Sequence, residues 1–152
     1  MELHTPAKIN LTLSVGPRRP DGYHDVSTVM QTVSLYDTLT LTEEGRGLTM
    51  TCTDPALPAD GDNLVLRAAR QFFAETGLPV PNLRFRLDKR IPSQAGLGGG
   101  SSDAAAVLRA LRTLYAPLLT DERLARMAAR LGSDVPFFLR GGTALATGRG
   151  ER

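Results

Sequence analysis

The sequence predicts one domain of the α+β or mixed α/β class, and three observations lead to this class. The 152 residues, 41% hydrophobic and 22% charged, are enough to bury one core, and no linker or change in composition divides them. Apolar and polar residues alternate through most of the first third, which indicates strands. Later segments show helical spacing with one more strand between them, an order typical of this fold class.

The first third is predicted to be largely β. Its first strand carries Lys8 and Asn10 on one face, and its alternating apolar residues indicate a half-buried strand. Those apolar residues are Ile9, Leu11, Leu13 and Val15. A turn signal rich in glycine and proline follows at 16–22. Further strands are predicted over 29–35, 37–43, 48–53 and 83–87.

Three helices are predicted in the rest of the chain. The first begins with Asp62 as its N-cap and ends at Gly77. The second is alanine-rich and covers 103–115, and the third begins after Thr120 and ends at Gly132. The side chains predicted to face the core are Val65, Ala69, Phe72 and Phe73, then Val107, Leu108, Leu111 and Leu114, then Leu124, Met127, Ala128 and Leu131.

Composition and charge exclude several classes of protein. No apolar run approaches the roughly 18 residues that span a bilayer, and the N-terminal segment lacks the apolar block of a signal peptide, so we expect a cytoplasmic protein with no membrane partner. The net charge of +2 is too small to favour binding to nucleic acid. A single cysteine, Cys52, excludes an internal disulfide and a multi-cysteine metal site. Its place in an alternating stretch predicts a core residue.

A glycine-rich segment, 95–103, lies between a predicted strand and a predicted helix. Its glycines let successive backbone N–H groups face one concavity, and a helix N-terminus adds unpaired donors, so the segment predicts a phosphate site. Its serines could supply hydroxyl groups to phosphate or to Mg²⁺. It is not a Walker A loop, because no Gly-Lys-Ser/Thr follows, and it is a poor dinucleotide fingerprint, because Ser101 stands at the third glycine position. The alternative is a flexible connector.

Lys8 and Asp134 are the candidate charged residues of a reactive site. Lys8 is one of only two lysines among eighteen basic residues, the other being Lys89. A lysine beside a carboxylate can polarise a hydroxyl or neutralise phosphate charge, but an exposed strand lysine is the simpler alternative. Asp134 follows a predicted helix end and precedes the apolar run 135–138, which suits either a helix cap or a general base.

Two further groups are candidates for binding. Tyr23 and His24 follow the turn, where an aromatic ring and an imidazole can stack on a nucleobase and bind its edge, although they equally suit the closing of a hairpin. Neither His24 nor His4 has partners at the spacing of zinc ligands. The third predicted helix carries a stripe of Arg123, Arg126 and Arg130. Such a stripe is more often a solvated face than a binding patch.

Four blocks of the sequence, at 6–11, 21–24, 91–105 and 132–138, together resemble one enzyme family. They read PAKINL, DGYH, IPSQAGLGGGSSDAA and GSDVPFF. They are similar to the 4-diphosphocytidyl-2-C-methyl-D-erythritol kinases, which belong to the superfamily of galactokinase, homoserine kinase, mevalonate kinase and phosphomevalonate kinase, the GHMP kinases. The resemblance implies the ribosomal protein S5 domain 2-like fold, with a mixed or antiparallel sheet and helices on one side. Because the family runs to roughly twice this length, residues 1–152 would be its N-terminal, ATP-binding domain alone, without the C-terminal domain.

The resemblance also implies a reaction and a set of site residues. The reaction is ATP-dependent phosphorylation of a hydroxyl of 4-diphosphocytidyl-2-C-methyl-D-erythritol in non-mevalonate isoprenoid synthesis, with Mg²⁺, here in a truncated form of the enzyme. Asp134 would take or orient the hydroxyl proton, and Lys8 would pair with it and with the incoming charge. Asn10 would position the substrate, and Tyr23 and His24 would hold its cytosine. The residues implied to bind the ATP phosphates are Pro92, Ser93, Gln94, Ala95, Gly96, Leu97, Gly98, Gly99, Gly100, Ser101 and Ser102.

Two alternative functions remain open at this point. A sibling kinase of the superfamily would act on a mevalonate-like or homoserine-like substrate and would not need a cytidine group. A non-catalytic RNA-binding domain of similar fold could use the arginine stripe, and a steep salt dependence of RNA affinity would support it. An RNA-binding module, however, has no need of a lone lysine and a lone aspartate beside a phosphate site.

Overall fold

The computed structural model describes residues 1–18, 22 and 24–147. Within these ranges the chain forms five strands in one mixed sheet and four helices, which confirms the predicted α+β class. None of these helices combines the length and apolarity that a bilayer crossing requires. The strands are β1 (Glu2–Arg18), β2 (His24–Thr42), β3 (Leu48–Cys52), β4 (Leu83–Asp88) and β5 (Thr143–Ala146). The helices are α1 (Leu64–Thr76), α2 (Gly99–Tyr115), α3 (Asp121–Leu131) and α4 (Val135–Phe138).

The sheet is built around β2, which borders three other strands. β1 pairs with it in an antiparallel hairpin along one edge. Along the other edge, β4 pairs with residues 38–42 and β5 pairs with residues 28–31, both antiparallel. β3 lies beyond β4 and is parallel to it. One long strand therefore connects the N-terminal hairpin to both later parts of the sheet.

β2 is one continuous strand, whereas the alternation predicted a break before Asp37. The prediction was wrong because no glycine or proline interrupts this stretch, so nothing in the backbone ends the strand there. The register with β1 shifts instead. Pro6 faces Tyr36 but Ala7 faces Val33, which leaves two residues of β2 unpaired in a bulge. This bulge separates the part of β2 that pairs with β4 from the part that pairs with β5.

The alternating apolar residues at 9–15 of β1 are exposed, which contradicts the prediction that this stretch is half-buried. The exposed fractions are 39% for Ile9, 56% for Leu11, 62% for Leu13 and 60% for Val15. The register with β2 shifts by one residue between Asn10 and Thr12, so Leu11 has no cross-strand partner. The exposure of the residues beyond this shift means that the described helices do not cover the far end of the hairpin. Alternation alone indicates a strand but does not say what packs on it.

The predicted helix boundaries are partly confirmed. Gly77 ends α1 in the left-handed conformation, with φ 70°, and the Thr120 side chain caps α3 by accepting a backbone N–H of its first turn. The N-cap of α1 is Asn63 and not Asp62, because the Asn63 carboxamide oxygen accepts the N–H of Val65. The cap is thus one residue later than predicted.

The second helix starts earlier than predicted, whereas its end at Tyr115 is as predicted. α2 begins at Gly99, four residues before the predicted start at Asp103. Glycine disfavours helices, but Ser102 and Asp103 are buried here, and tertiary packing overrides the low propensity. Leu114 was predicted to face the core but is 42% exposed, because it lies in the last turn of α2, beyond the buried residues that end at Leu111.

The core lies between one face of the sheet and the helices. Along β4, Phe85 is buried with its alternate neighbours, whereas Arg84 and Arg86 are exposed on the opposite face. The helices therefore cover one side of the sheet, as the resemblance implied. Cys52 packs against this core but is only partly buried, and this burial raises the pKa of its thiol.

Candidate functional site

The N-terminus of α2 presents backbone donors that have no partners within the helix. Its N-cap, Gly98, has a left-handed backbone with φ 71° and makes no side-chain capping bond. The first helical hydrogen bond runs from the N–H of Ser102 to the carbonyl of Gly98. The N–H groups of Gly99, Gly100 and Ser101 therefore have no helical acceptor. Because the first turn contains no acidic residue, this positive helix end can receive an anion.

A cavity of about 380 Å³ opens beside this helix end. One wall is the phosphate loop, by which we mean residues 92–98, together with the start of α2. Residues from 57–64 form another wall, and Lys89 and Asp103 also contribute. Small-molecule sites typically occupy roughly 300–1,000 Å³, so this cavity is large enough for a ligand.

The predicted phosphate-binding residues lie in two settings. Pro92 to Leu97 form the exposed or half-exposed part of the phosphate loop, and Gly98 to Ser102 form the cap and first turn of α2. Within the loop, the Ser93 hydroxyl donates to the carboxylate of Asp54 at 3.2 Å. The glycine-rich segment is thus a short loop continued by a helix, not a flexible connector.

Lys8 and Asp134 meet, although they lie near opposite ends of the chain. The Lys8 ammonium is 3.4 Å from the Asp134 carboxylate, and their side chains are 7% and 33% exposed. Asp134 stands at the N-cap position of α4 but makes no capping hydrogen bond. Because Lys8 is buried, the alternative that it is an exposed strand lysine is excluded. Because Asp134 makes no capping bond, helix capping is excluded as the role of its side chain.

The phosphate loop packs directly on this pair. The backbone N–H of Lys8 donates to the carbonyl of Leu97 at 2.9 Å. A Cβ atom on Gly98 would lie 2.9 Å from the Phe138 ring and 3.1 Å from Cγ of Lys8. Only glycine lets the backbone at position 98 lie this close to Lys8 and Phe138. This close contact places the uncapped helix end beside the Lys8 ammonium and the Asp134 carboxylate.

Asn10 binds and orients the Lys8 side chain, a contact that was not predicted, although the two residues were expected to share one strand face. Lys8 Nζ donates to Asn10 Oδ1 at 2.8 Å, and Asn10 Nδ2 donates to the Thr28 hydroxyl at 2.7 Å. The Thr28 hydroxyl in turn donates to the Thr12 carbonyl at 2.6 Å. This chain of bonds turns the amide oxygen of Asn10 toward Lys8. Thr28 was not predicted, because a threonine in a strand carries no specific signal.

A buried charged cluster of Thr5, Asp37, Lys89 and Asp103 lies next to the phosphate loop and was missed by the sequence analysis. The Lys89 ammonium pairs with the carboxylates of Asp37 and Asp103, and both carboxylates are inaccessible to solvent. A signal existed in the sequence. Asp37 alternates with Leu39 and Leu41, so a charged residue occupies a core position of the strand.

The cluster changes the pKa of two of its members. Burial raises the pKa of Asp103 to about 6, against the opposing effects of the Lys89 charge and the Thr5 hydroxyl. Burial acts to lower the pKa of Lys89, but the charges of Asp103 and Asp37 and their hydrogen bonds outweigh it and raise that pKa. Lys89 therefore stays protonated, and Asp103 changes charge in the mildly acidic range.

The raised pKa of Asp103 predicts a pH-dependent stability. The folded state binds the proton of the Asp103 carboxyl more tightly than the unfolded state does. Protonated Asp103 therefore adds to the free energy of unfolding at low pH, and this added stability is lost as the pH rises through about 6. Between pH 7.5 and 5, the wild type is expected to gain about 1 kcal/mol of unfolding free energy relative to Asp103→Asn. Urea unfolding of both proteins across this range measures the difference, and a difference that does not vary with pH contradicts the assignment.

Of the remaining predicted residues, the structure describes His24 but does not bring it to the Lys8–Asp134 pair. Tyr23 lies outside the described residues. His24 is the cross-strand partner of Arg18, near the far end of the hairpin. Its Nδ1–H donates to the Gly16 carbonyl at 2.9 Å. In the arginine stripe of α3, Arg130 and Arg123 both bind Glu75, through its carboxylate and its backbone carbonyl respectively.

Comparisons with known proteins place the chain in a family. The family described as the GHMP kinases N terminal domain matches residues 63–142, which is more than half of the chain. A 4-diphosphocytidyl-2-C-methyl-D-erythritol kinase of Protochlamydia amoebophila is 51% identical over 99% of this chain and 52% of its own length. One of Salinispora tropica is 50% identical over 99% of this chain and 48% of its own. The chain spans about half the length of the curated relatives it matches.

Solved structures agree with this placement. A crystal structure of 4-(cytidine 5'-diphospho)-2C-methyl-D-erythritol kinase superposes with a TM-score of 0.85 at 47% identity, covering 100% of this chain and 53% of that one. A crystal structure of mevalonate kinase gives a TM-score of 0.65 at 17% identity, covering 93% of this chain and 48% of that one, and so shares the fold alone. From the family match over residues 63–142, we conclude that the chain belongs to the GHMP kinases.

Proposed function

We propose that this chain is the N-terminal, ATP-binding domain of a kinase that phosphorylates a hydroxyl of 4-diphosphocytidyl-2-C-methyl-D-erythritol. The observation that carries the proposal is the Lys8–Asp134 pair, which packs against the uncapped N-terminus of α2 at Gly98. Phosphoryl transfer needs positioning and electrostatic stabilisation, and a phosphate cradle, a cation and a carboxylate meet here. The substrate is inferred from relatives about 50% identical that carry the name of this kinase.

In the proposed reaction, Asp134 accepts the proton of the substrate hydroxyl while that oxygen attacks the γ-phosphorus of ATP. The new P–O bond forms as the bond from the γ-phosphorus to the β–γ bridging oxygen breaks, and ADP leaves. Asp134 suits this role because its side chain is 33% exposed, so a substrate can reach it, and because the Lys8 ammonium holds it in place.

Lys8 supplies the positive charge at the transfer point. Of its three N–H groups, one donates to Asn10 and another faces Asp134, which leaves the third for an oxygen of the transferred phosphoryl group. A compact ammonium fits this narrow position better than a planar guanidinium. The same argument explains why a chain with sixteen arginines has a lysine here.

ATP would occupy the cavity beside the phosphate loop, with its phosphates at the N–H groups of Gly99, Gly100 and Ser101. Mg²⁺ carried by the phosphates would neutralise part of their charge. No group of three acidic, histidine or cysteine side chains forms a metal site in the part of the chain that the structure describes. Magnesium bound to a nucleotide needs only one or two protein oxygens, and the Ser101 hydroxyl in the cavity wall is a suitable one.

The cytosine of the substrate would be held by Tyr23 and His24. Because Nδ1–H of His24 donates to the Gly16 carbonyl, Nε2 would be the ring nitrogen that accepts a hydrogen bond from the cytosine amino group. Tyr23 precedes His24 in the sequence, and a tyrosine ring would supply the stacking surface that nucleobase sites use.

Replacing Tyr23 by alanine is expected to weaken binding of the cytidine substrate by about 5- to 150-fold, because stacking contributes roughly 1–3 kcal/mol per base. Calorimetric titration of wild type and variant measures the change, and the affinity for an ATP analogue serves as the internal control. A phosphorylated methylerythritol without cytidine should bind both proteins equally. An unchanged affinity for the cytidine substrate contradicts the cytosine clamp.

Titration with a non-hydrolysable ATP analogue and Mg²⁺, with and without 4-diphosphocytidyl-2-C-methyl-D-erythritol, tests the proposed function. Saturable binding of both ligands is expected. Phosphate transfer to mevalonate or homoserine in preference to the cytidine compound would instead identify a sibling kinase. If neither the analogue nor any of these alcohols binds, the proposal is wrong for this chain.

A further inference from the structure

The charged cluster holds the chain just before the phosphate loop. Oδ1 of Asp37 accepts the N–H groups of Arg90 and Ile91 at 2.5 and 2.8 Å, and its Oδ2 pairs with the Lys89 ammonium. One buried carboxylate thus binds three consecutive residues that end directly before Pro92. A carboxylate has about four acceptor sites, and Asp37 uses three of them on this short segment.

The same cluster reaches the chain just after the loop. Lys89 Nζ lies 3.3 Å from Oδ2 of Asp103, in the second turn of α2. The Thr5 hydroxyl donates to Oδ1 of Asp103 at 2.6 Å, which ties the cluster to β1 three residues before Lys8. The two ends of the phosphate loop are therefore joined to each other and to the strand that carries Lys8.

Burying two carboxylates with one ammonium is costly for a domain of this size. Taking each ion out of water costs several kcal/mol, and well-packed apolar residues at such positions are often as stable or more stable. Charged groups nevertheless stand between the sheet and α2, at a point where they contact backbone N–H groups and not only each other. Their directional hydrogen bonds fix the backbone where the loop begins, and apolar side chains could not form such bonds.

From this geometry we infer that Asp37 is a positioning residue for phosphoryl transfer, which seats the phosphate loop so that Leu97 and Gly98 meet Lys8. The inference rests on the proposed function. Asp37 neither lines the nucleotide cavity nor contacts Lys8 or Asp134, and it acts through residues 89–91. The hydrogen bond from the Lys8 N–H to the Leu97 carbonyl holds the loop against β1, so its stability reports whether the loop is in place.

Asp37→Asn tests the inference, because it keeps the shape of the side chain but removes the charge that holds Lys89. The dissociation constant of a non-hydrolysable ATP analogue is expected to rise about tenfold, as for groups that orient the ligands of a metal site. Hydrogen exchange of the Lys8 amide should accelerate by a similar factor. The Leu83 amide, which donates to the Gly47 carbonyl, is the reference and should not change, whereas general destabilisation would accelerate both amides.

Two more variants complete the experiment. Asp88→Asn removes a neighbouring carboxylate that pairs with Arg86 on the surface, and it should change neither readout. Thr5→Val removes the hydroxyl that binds the Asp103 carboxylate and the Asp37 carbonyl, and it should raise the dissociation constant and the Lys8 exchange by a smaller factor, about two- to fivefold.

The outcomes separate this inference from the proposed function. If Asp37→Asn does not fold, the Thr5→Val result decides. Wild-type affinity and wild-type Lys8 exchange in the folded variants would overturn the positioning role of Asp37. Failure of the wild type to bind the ATP analogue would instead overturn the proposed function, and the exchange comparison would still test whether Asp37 seats the loop.

Discussion

Replacement of Asp134 by asparagine is expected to reduce kcat for phosphorylation by about 10²- to 10⁴-fold, the usual contribution of a general base. Asparagine has the same shape but cannot accept the hydroxyl proton, and it leaves Lys8 facing a neutral amide. The affinity for an ATP analogue should change by no more than about twofold, because Asp134 is not part of the cavity wall. Steady-state kinetics and titration of the same preparations separate the two effects.

The stability of the Asp134→Asn variant provides a control on this result. Because Asp134 pairs with the buried Lys8 ammonium, the unfolding free energy should fall by about 1–3 kcal/mol, and kcat is compared at a temperature where the variant is fully folded. Asp121→Asn is the matched control variant, because Asp121 is an exposed carboxylate that pairs with Arg112, away from the site. It should retain full activity. If Asp134→Asn is as active as Asp121→Asn, Asp134 is not the proton acceptor.

Replacement of Gly98 by alanine is expected to abolish nucleotide binding and to destabilise the protein by about 2–5 kcal/mol, the sum of two costs. The new Cβ would lie 2.9 Å from the Phe138 ring and 3.1 Å from Cγ of Lys8, so the ring or the loop must move. The backbone φ of 71° adds strain for any residue with a Cβ. Urea unfolding measures the stability, and titration with the ATP analogue measures the binding.

Gly96→Ala is the matched control for Gly98→Ala. Gly96 has nearly the same backbone angle, with φ 74°, but no atom lies within 4 Å of the position of its Cβ. Its substitution therefore carries the backbone strain of roughly 1–2 kcal/mol without the clash. The difference between the two variants isolates the contact of the loop with Lys8 and Phe138. Equal losses would mean that backbone strain alone accounts for both.

The candidate site could be predicted where a residue type is unusual for its position. Lys8 is unusual in a chain rich in arginine, and Asp134 is a charged residue directly before an apolar run. The glycines predict free backbone N–H groups at the start of a helix. The buried cluster could not be predicted as a unit, because its members come from β1, β2, the end of β4 and α2, and their proximity depends on packing. Of these, Asp37 carried a signal as a charge at a core position, and Lys89 carried one as one of only two lysines.

The fold could be predicted where local chemistry decides the structure. Gly77 and Thr120 mark helix ends because a left-handed glycine and a capping hydroxyl act within one turn of the chain. The continuity of β2 through Tyr36 is also local, since no glycine or proline interrupts it, but the exposure of Leu13 could not be predicted in this way. It depends on which distant segments cover the strand, and alternation is the same whether its apolar side is covered or open.

The place of β3 in the sheet has a consequence for synthesis of the protein. Among the described strands, β3 pairs only with β4, which leaves the ribosome later, after α1. Until then the hairpin of β1 and β2 stands alone, and an isolated two-stranded hairpin is marginally stable in water. We therefore expect the nascent chain to stay protease-sensitive until β4 has emerged. During this interval the apolar residues of β3 and α1 remain exposed to chaperones and to other nascent chains.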